Sequence, residues 1–397
     1  MAKNVEDIHN QDKRFKRALE KRMHEFGRDQ KSVENFLNQL FVEGLSPARL
    51  SKYVYSLVVL KRMIQVNFID AEEEDIKQLV ASIGNCDRSH WTKHSYRVIL
   101  KRYLRYLGKE PEWLKAGHAK RTDVSPEEIL SEEDVKQIAE NAYTKRDRAF
   151  VLALYESGTR IGEFLPLKLK HLEFDRHGCL IRVNGKTGPR RIRLVFSSLS
   201  IQKWIDEHPS KNNSEAYLWC KIPMPNNPKW VNKHLSYGFV SRLIKELAEK
   251  AKVKKGVNPH AFRHARATFM ARHLKEPEMR EFFGWGRDSD MPSIYVHLSG
   301  RDVDSSVLRI YGIKDVEKSQ EPVLKVHDCP RCNESNDPAM MFCQRCGLPF
   351  KEEGLDTENQ LEGVVVELLK AMAQTNPTIK GKFREIVREK GVESLFS

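Results

Sequence analysis

GCLIRVNGKTGPRRIRLV, residues 178–195, reads as two strands folded about a Gly185-Lys186-Thr187-Gly188 turn. Most of the surrounding chain spaces its apolar residues at three and four, which is helical periodicity. A hairpin inside a helical chain predicts an α+β protein, mostly helical, with a small antiparallel sheet. The Gly-Lys-Thr triplet invites a second reading as a phosphate-binding P-loop. That motif needs four residues between its glycines, and six (179–184) separate Gly178 from Gly185. It should also open a helix, whereas the residues after Thr187 continue as a strand. A nucleotide-hydrolysing site is therefore excluded here.

Working outward, SEEDVKQIAENA begins at Ser131 with Asp134 three residues later, close to a capping box. RDRAFVLALYESG is a second, more buried helix that stops at Gly158. After the hairpin come VSRLIKELAEKAKV and NPHAFRHARATFMARHL, so one mixed domain is expected over 131–315. Upstream, residues 31–110 form a helical domain, joined by a Pro-, Gly- and charge-containing linker at 111–130. Its last helix carries Lys93, Arg97, Lys101, Arg102 and Arg105, a face that suits either solvent or a DNA backbone. Residues 1–30 are charged and polar and should make a loose or helical arm. A cysteine cluster occupies 327–350, and 351–397 is a tail with a helix candidate in LEGVVVELLKAMAQ.

The chain has 397 residues, 40% of them hydrophobic, enough for two or three domains with a sizeable core. Lys+Arg number 68 against 55 Asp+Glu, giving a net charge of +13. Such an excess favours polyanions, nucleic acid above all. No stretch approaches the roughly 20 apolar residues that span a bilayer, and the N-terminus lacks the apolar core of a signal peptide. A cytoplasmic protein with no membrane partner is expected.

Six residues in the middle of the chain carry chemistry. Lys186, at the tip of the hairpin, can reach into a cleft and protonate a leaving alkoxide; a lone turn lysine is usually just solvated. Arg160 follows a glycine at the start of a helix, where backbone N–H groups and a guanidinium together hold an anion. Glu163 is close enough to orient it. His260 and Arg263 share one helix face by their i, i+3 spacing, behind an Asn258 cap and Pro259 at the first helical position. The nearby His264 and Arg266 are read as structural or backbone-contacting. Trp285 can pack the cleft and offer its indole N–H to a phosphate. Tyr295 is a usable nucleophile only where cations stabilise its phenolate, since a free phenol has a pKa near 10. Tyr311 is the rival, in VLRIYGIKD, whose apolar spacing suggests a packed helix.

In this order and context, the set resembles the tyrosine recombinases of the phage-integrase family. The matching residues are Arg160 in TRIGE, Lys186 on the hairpin, His260 and Arg263 in HAFR, Trp285 after Gly284, and Tyr295 before Val296-His297. The segment IYVHLSGRDVD is most like archaeal integrases. Trp285 stands where the family more often has histidine, and its spacing to the tyrosine is slightly long. The resemblance implies that 31–110 is a core-binding, DNA-contacting domain and 131–315 the catalytic domain. It further implies a site-specific recombinase acting on double-stranded DNA as a homotetramer on paired sites. Tyr295 would form a 3′-phosphotyrosine link, Arg160 and Arg263 would stabilise the pentavalent phosphate, and Lys186 would be general acid. His260 would share proton transfer with Tyr295. No ATP and no catalytic metal would be needed. A type IB topoisomerase-like enzyme would use the same residues, and a DNA-binding regulator with a decayed site is the non-enzymatic alternative.

CPRCNESNDPAMMFCQRCG places Cys329, Cys332, Cys343 and Cys346 as C-x₂-C-x₁₀-C-x₂-C. Two such knuckles make one tetrahedral, closed Cys₄ site, so a structural zinc ribbon is expected. Cys86, Cys179 and Cys220 are scattered and suit buried thiols.

Overall fold

The computed structural model describes residues 10–117, 126–185, 187–223, 232–298, 311 and 322–350. The chain divides into two compact units, Met1–Ser125 and Pro126–Ser397. Among the described residues no helix is long and apolar enough to cross a membrane.

The first unit holds α1 (Gln11–Arg22), α2 (Gln30–Val42), α3 (Pro47–Met63), α4 (Glu73–Asn85) and α5 (His90–Tyr106). Its core is aromatic and aliphatic: Phe26, Phe36, Leu57, Phe68, Leu100 and Tyr103 are all buried. The described part of the expected N-terminal arm is helical and packs on this core. Ala18 on α1 and Phe26 just after it are fully buried in this core, because each supplies an apolar side chain to the helical packing. Asp29 is buried too, and is satisfied by the N–H groups of Phe68 (2.9 Å) and Ile69 (3.0 Å) and by Lys61 (3.1 Å). On α5, four of the five cations already have partners. Lys93 donates to the Gly84 carbonyl, Lys101 and Arg105 pair with Glu110, and Arg102 pairs with Glu43.

The second unit is built around α7 (Lys145–Ser157), every residue of which from Ala149 to Ser157 is buried. Before it, α6 (Glu132–Glu140) begins with a complete capping box: the Ser131 hydroxyl accepts from Asp134 N–H, and the Asp134 carboxylate accepts from Ser131 N–H. After it come the single-turn α8 (Ile161–Phe164) and three strands, β1 (Leu172–Asp175), β2 (Gly178–Gly185) and β3 (Gly188–Leu194). They form an antiparallel sheet in sequence order, with Ile181 opposite Ile192 and Gly185 opposite Gly188. The third strand, β1, lies outside the two-strand reading of the sequence; it is short and mostly exposed, so it lacks a buried alternation. Five helices follow among the described residues: α9 (Ser198–Asp206), α10 (Tyr237–Lys250), α11 (Pro259–Met270), α12 (Glu276–Phe283) and α13 (Met291–Leu298). The protein is thus α+β and mostly helical.

A second small sheet pairs β4 (His327–Asp328) with β5 (Ser335–Asn336) in the cysteine-rich segment. This segment contacts the body of the same unit: Arg148 Nη1 reaches Met340 Sδ at 2.7 Å, and Val323 N–H donates to Glu132 at 2.8 Å. The helix expected in the 351–397 tail and the packed helix expected around Tyr311 lie outside the described residues; Tyr311 itself is exposed.

Candidate active site

Two left-handed glycines set the frame. Gly158 ends α7 with φ +55°, and a Cβ there would lie 2.5 Å from Phe283 Cε1. Gly284 ends α12 with φ +60°, and a Cβ there would meet the Arg190 guanidinium at 2.8 Å. Only glycine fits such positions without strain. Both turn their neighbouring carbonyls inward. Arg263 Nη1 donates to Gly158 O (2.7 Å) and Arg263 Nη2 to Phe283 O (2.8 Å). The fork of Arg263 is therefore held rigidly by backbone on both arms, with the residue 3% exposed.

Arg160 caps α8 and shares its Nη1 between Glu163 Oε1 (3.0 Å) and Gly284 O (3.5 Å). Its side chain is more than a third exposed. Among the described residues no partner takes its Nε or Nη2, which leaves hydrogen-bond donors open to an anion. Glu163 also accepts from Arg190 Nη2 at 2.7 Å, while Arg190 Nε donates to Phe282 O at 3.0 Å. Burial acts to raise the Glu163 carboxyl, but Arg190 and Arg160 overcome it and hold the group below its ordinary range. Arg190 ties the hairpin to the α12 end. The hairpin tip closes on the same place: Thr187 Oγ1 donates to Gly284 O at 3.4 Å, and a Cβ on Gly185 would meet Glu163 Oε1 at 2.6 Å. Lys186, between these two neighbours, lies outside the described residues.

On α11 the Asn258 side chain accepts from His260 N–H (2.9 Å) and Ala261 N–H (3.0 Å), the cap expected from the sequence. One turn later the rings of His260 and His264 meet edge to face at 4.4 Å. His260 opens to solvent on one side, and its packed side, with Arg263 and Arg160 near, pushes its pKa down. Burial also lowers Arg263, with Arg160 beside it, to about 9, so it stays cationic at neutral pH.

Trp285 is 8% exposed and touches both Tyr295 and Arg263. Its ring stacks on Tyr295 at 5.4 Å and 5°, and the Arg263 guanidinium lies 5.6 Å from its centroid. Tyr295, on α13, is 2% exposed, and burial pushes its phenol up to about 12 against the opposing pull of Arg263. Its hydroxyl makes a hydrogen bond with Nδ1 of His264. Burial first, then His260 and Arg263, push His264 down to about 4.

The structure thus brings Arg160, His260, Arg263, Trp285 and Tyr295 together. Two residues were missed by reading the sequence. His264 was assigned a structural role, yet it is the group on the tyrosine hydroxyl. Arg190 was not singled out; its signal was the Pro189-Arg190-Arg191 run immediately after the hairpin turn.

Residues 128–301 match the family model described as Phage integrase family. Curated relatives agree. The Tyrosine recombinase XerA of Pyrococcus furiosus is 27% identical over 282 residues, spanning 70% of this chain and 93% of that one. The XerA of Pyrococcus horikoshii is 26% identical over 243 residues, 60% of this chain and 79% of that one. Residues 128–301 thus carry a phage-integrase-family domain, and the chain is similar to curated tyrosine recombinases. A solved lambda integrase tetramer bound to a Holliday junction is 18% identical, covers 68% of this chain and 78% of that one, and superposes with a TM-score of 0.51. That likeness speaks for the fold.

Away from this cluster, the sulfur atoms of Cys329, Cys332, Cys343 and Cys346 all lie within 4.8 Å of one another. Cys329 and Cys346 approach to 3.5 Å, as do Cys332 and Cys343. A tetrahedral zinc with Zn–S bonds of about 2.3 Å sets its sulfurs about 3.8 Å apart, so the four thiols fit such an ion. Each C-x₂-C pair, Cys329 with Cys332 and Cys343 with Cys346, sits on a tight turn, with Asn333 N–H donating to Cys329 O and Gly347 N–H to Cys343 O. These four residues can hold a metal ion.

Proposed function

We propose that this recombinase cleaves and rejoins double-stranded DNA at specific sites through a covalent link on Tyr295. The observation that carries this reading is the Tyr295–Trp285–Arg263 arrangement, in which one indole packs against both the phenol and a guanidinium that backbone carbonyls hold in place. Arg263 and the more exposed Arg160 would clamp the phosphate and stabilise charge as the pentavalent state forms. His260, at the open end of α11, would donate to a phosphate oxygen. Tyr295 Oη attacks phosphorus, the bond to the 5′-oxygen breaks, and Lys186 protonates that oxygen. A 3′-phosphotyrosine and a 5′-hydroxyl result. The bond energy stays in the covalent link, so this chemistry calls on no ATP and no catalytic metal.

The partner is duplex DNA, and exchange between two sites would need a homotetramer, passing through a Holliday junction. The Cys₄ site would hold a structural zinc: four thiolates close the coordination sphere and leave no open position for chemistry.

Covalent trapping tests the reading. A duplex selected from a randomised pool for binding to the protein would be nicked beside the contacted phosphate and incubated with wild type and Tyr295→Phe. A slow band on a denaturing gel, present only for wild type, is expected. Its absence on DNA that the protein binds would instead mark a regulator. A two-site exchange assay separates recombination from supercoil relaxation.

A further inference from the structure

We propose that His264, rather than His260, is the base that removes the proton from Tyr295, and that a bound phosphate switches it on. This rests on Tyr295 being the nucleophile.

Geometry is the first support. Among the described residues, His264 Nδ1 is the only hydrogen-bond partner of the Tyr295 hydroxyl. If Nδ1 carried the imidazole proton, the hydroxyl of Tyr295, a residue only 2% exposed, would find no acceptor for its hydrogen among the described residues. The arrangement that satisfies both groups has the phenol donating to a bare Nδ1, with the proton on Nε2. This tautomer is assigned from the hydrogen-bond network. His260, by contrast, touches the His264 ring and makes no bond to the phenol among the described residues.

Charge is the second support. Around His264 stand His260 and Arg263 on its own helix and Tyr295 on α13; Arg160 and Glu163 on α8 and Arg190 on β3 lie behind Arg263. In the absence of DNA, burial and this positive field hold His264 neutral, at about 4, and burial holds the phenol protonated, at about 12. The proton then stays on Tyr295 and the nucleophile is off. A phosphodiester anion seated between Arg160, Arg263 and His260 cancels part of that field, which makes His264 more basic where it is needed.

The step balances. The Oη–P bond forms as the Oη proton moves to His264 Nδ1. The P–O5′ bond breaks, and the 5′-oxygen takes its proton from the general acid. On rejoining, the same imidazolium returns its proton to the departing phenolate.

The test uses the full chain and the trapping duplex. His264→Asn keeps a hydrogen-bond acceptor near the Nδ1 position without basicity. We expect unchanged DNA affinity and covalent-complex formation about 10²-fold slower or more, the scale of general-base loss. The remaining rate should climb tenfold per pH unit where the wild-type rate has levelled off, since hydroxide must replace the base. His260→Asn should instead weaken phosphate binding and keep the wild-type pH profile. His264→Asn within threefold of wild type overturns the proposal. A wild type that forms no covalent complex, or a Tyr295→Phe that still forms one, overturns the nucleophile assignment instead. A second measurement needs no variant: ¹⁵N spectra of histidine-labelled protein should show His264 Nδ1 as an unprotonated, pyridine-type nitrogen. A protonated Nδ1 would refute the assignment.

Discussion

At the scale of single residues, the site depends on positions that do no chemistry. Gly158 is one. Alanine there would need a left-handed backbone and would drive its Cβ against Phe283. Strain of this kind costs on the order of 1–3 kcal/mol. It would also move the carbonyl that holds Arg263. Gly158→Ala should lower the urea midpoint and slow strand cleavage together; a stable variant with normal cleavage would show that the Arg263 anchor is dispensable. Glu163 is another, a buried carboxylate between Arg160 and Arg190. Removing one member of a buried ion pair costs about 3–5 kcal/mol, so Glu163→Gln should destabilise the unit by that order in chemical denaturation. Acid should act through the same groups. His264 falls from 6.5 to about 4 on folding, and Glu163 sits below its ordinary 4.5. Both are depressed, so the unfolded chain takes up protons first as pH falls. The His264 contribution is full above about 6.5 and is lost down to about 4, with Glu163 adding its loss below 4.5. Urea midpoints measured from pH 8 to 3 should decline in that window, and His264→Asn should flatten its upper part.

At the scale of elements, α11 is the organiser. A capped start fixes its first turn, and its i, i+3, i+4 rows carry His260, Arg263 and His264 to one place. The cap, the proline and the histidine–arginine spacing could all be read from the residues. The role of His264 could not, because its partner Tyr295 arrives from 31 positions downstream on another helix. The same limit hid the pairing of the α5 cations. Glu110 and Glu43 are distant in sequence or across a turn, so the charged face looked free. For the cysteine segment, spacing alone indicated the ligands, while its contacts with Arg148 and Glu132 come from the fold. All four thiols lie within this segment, so the ribbon should come apart by itself. Chelation should release one metal ion per chain and raise hydrogen exchange across 322–350, with the α7 amides still protected. Simultaneous loss of α7 protection would mean that the metal holds the whole unit.

At the scale of the whole molecule, the net charge of +13 is the relevant quantity. A protein that neutralises 6–10 phosphates loses about 10³–10⁵ in affinity between 50 and 200 mM salt. Fluorescence anisotropy on a labelled duplex should show a steep linear fall of log affinity with log salt. A flat response would mean that the excess cations are spent on internal pairs like those of α5.

The sequence by itself determined the hairpin, the capped α11, the order of the chemistry-bearing residues and the four thiols. Each is local: alternation, caps and short spacings are set by backbone geometry within one or two turns. Tertiary structure alone decided which carbonyls hold Arg263, that Arg190 locks the hairpin to α12, and that His264 meets Tyr295. Those depend on through-space contacts between elements 20 or more residues apart, and periodicity carries no information about them.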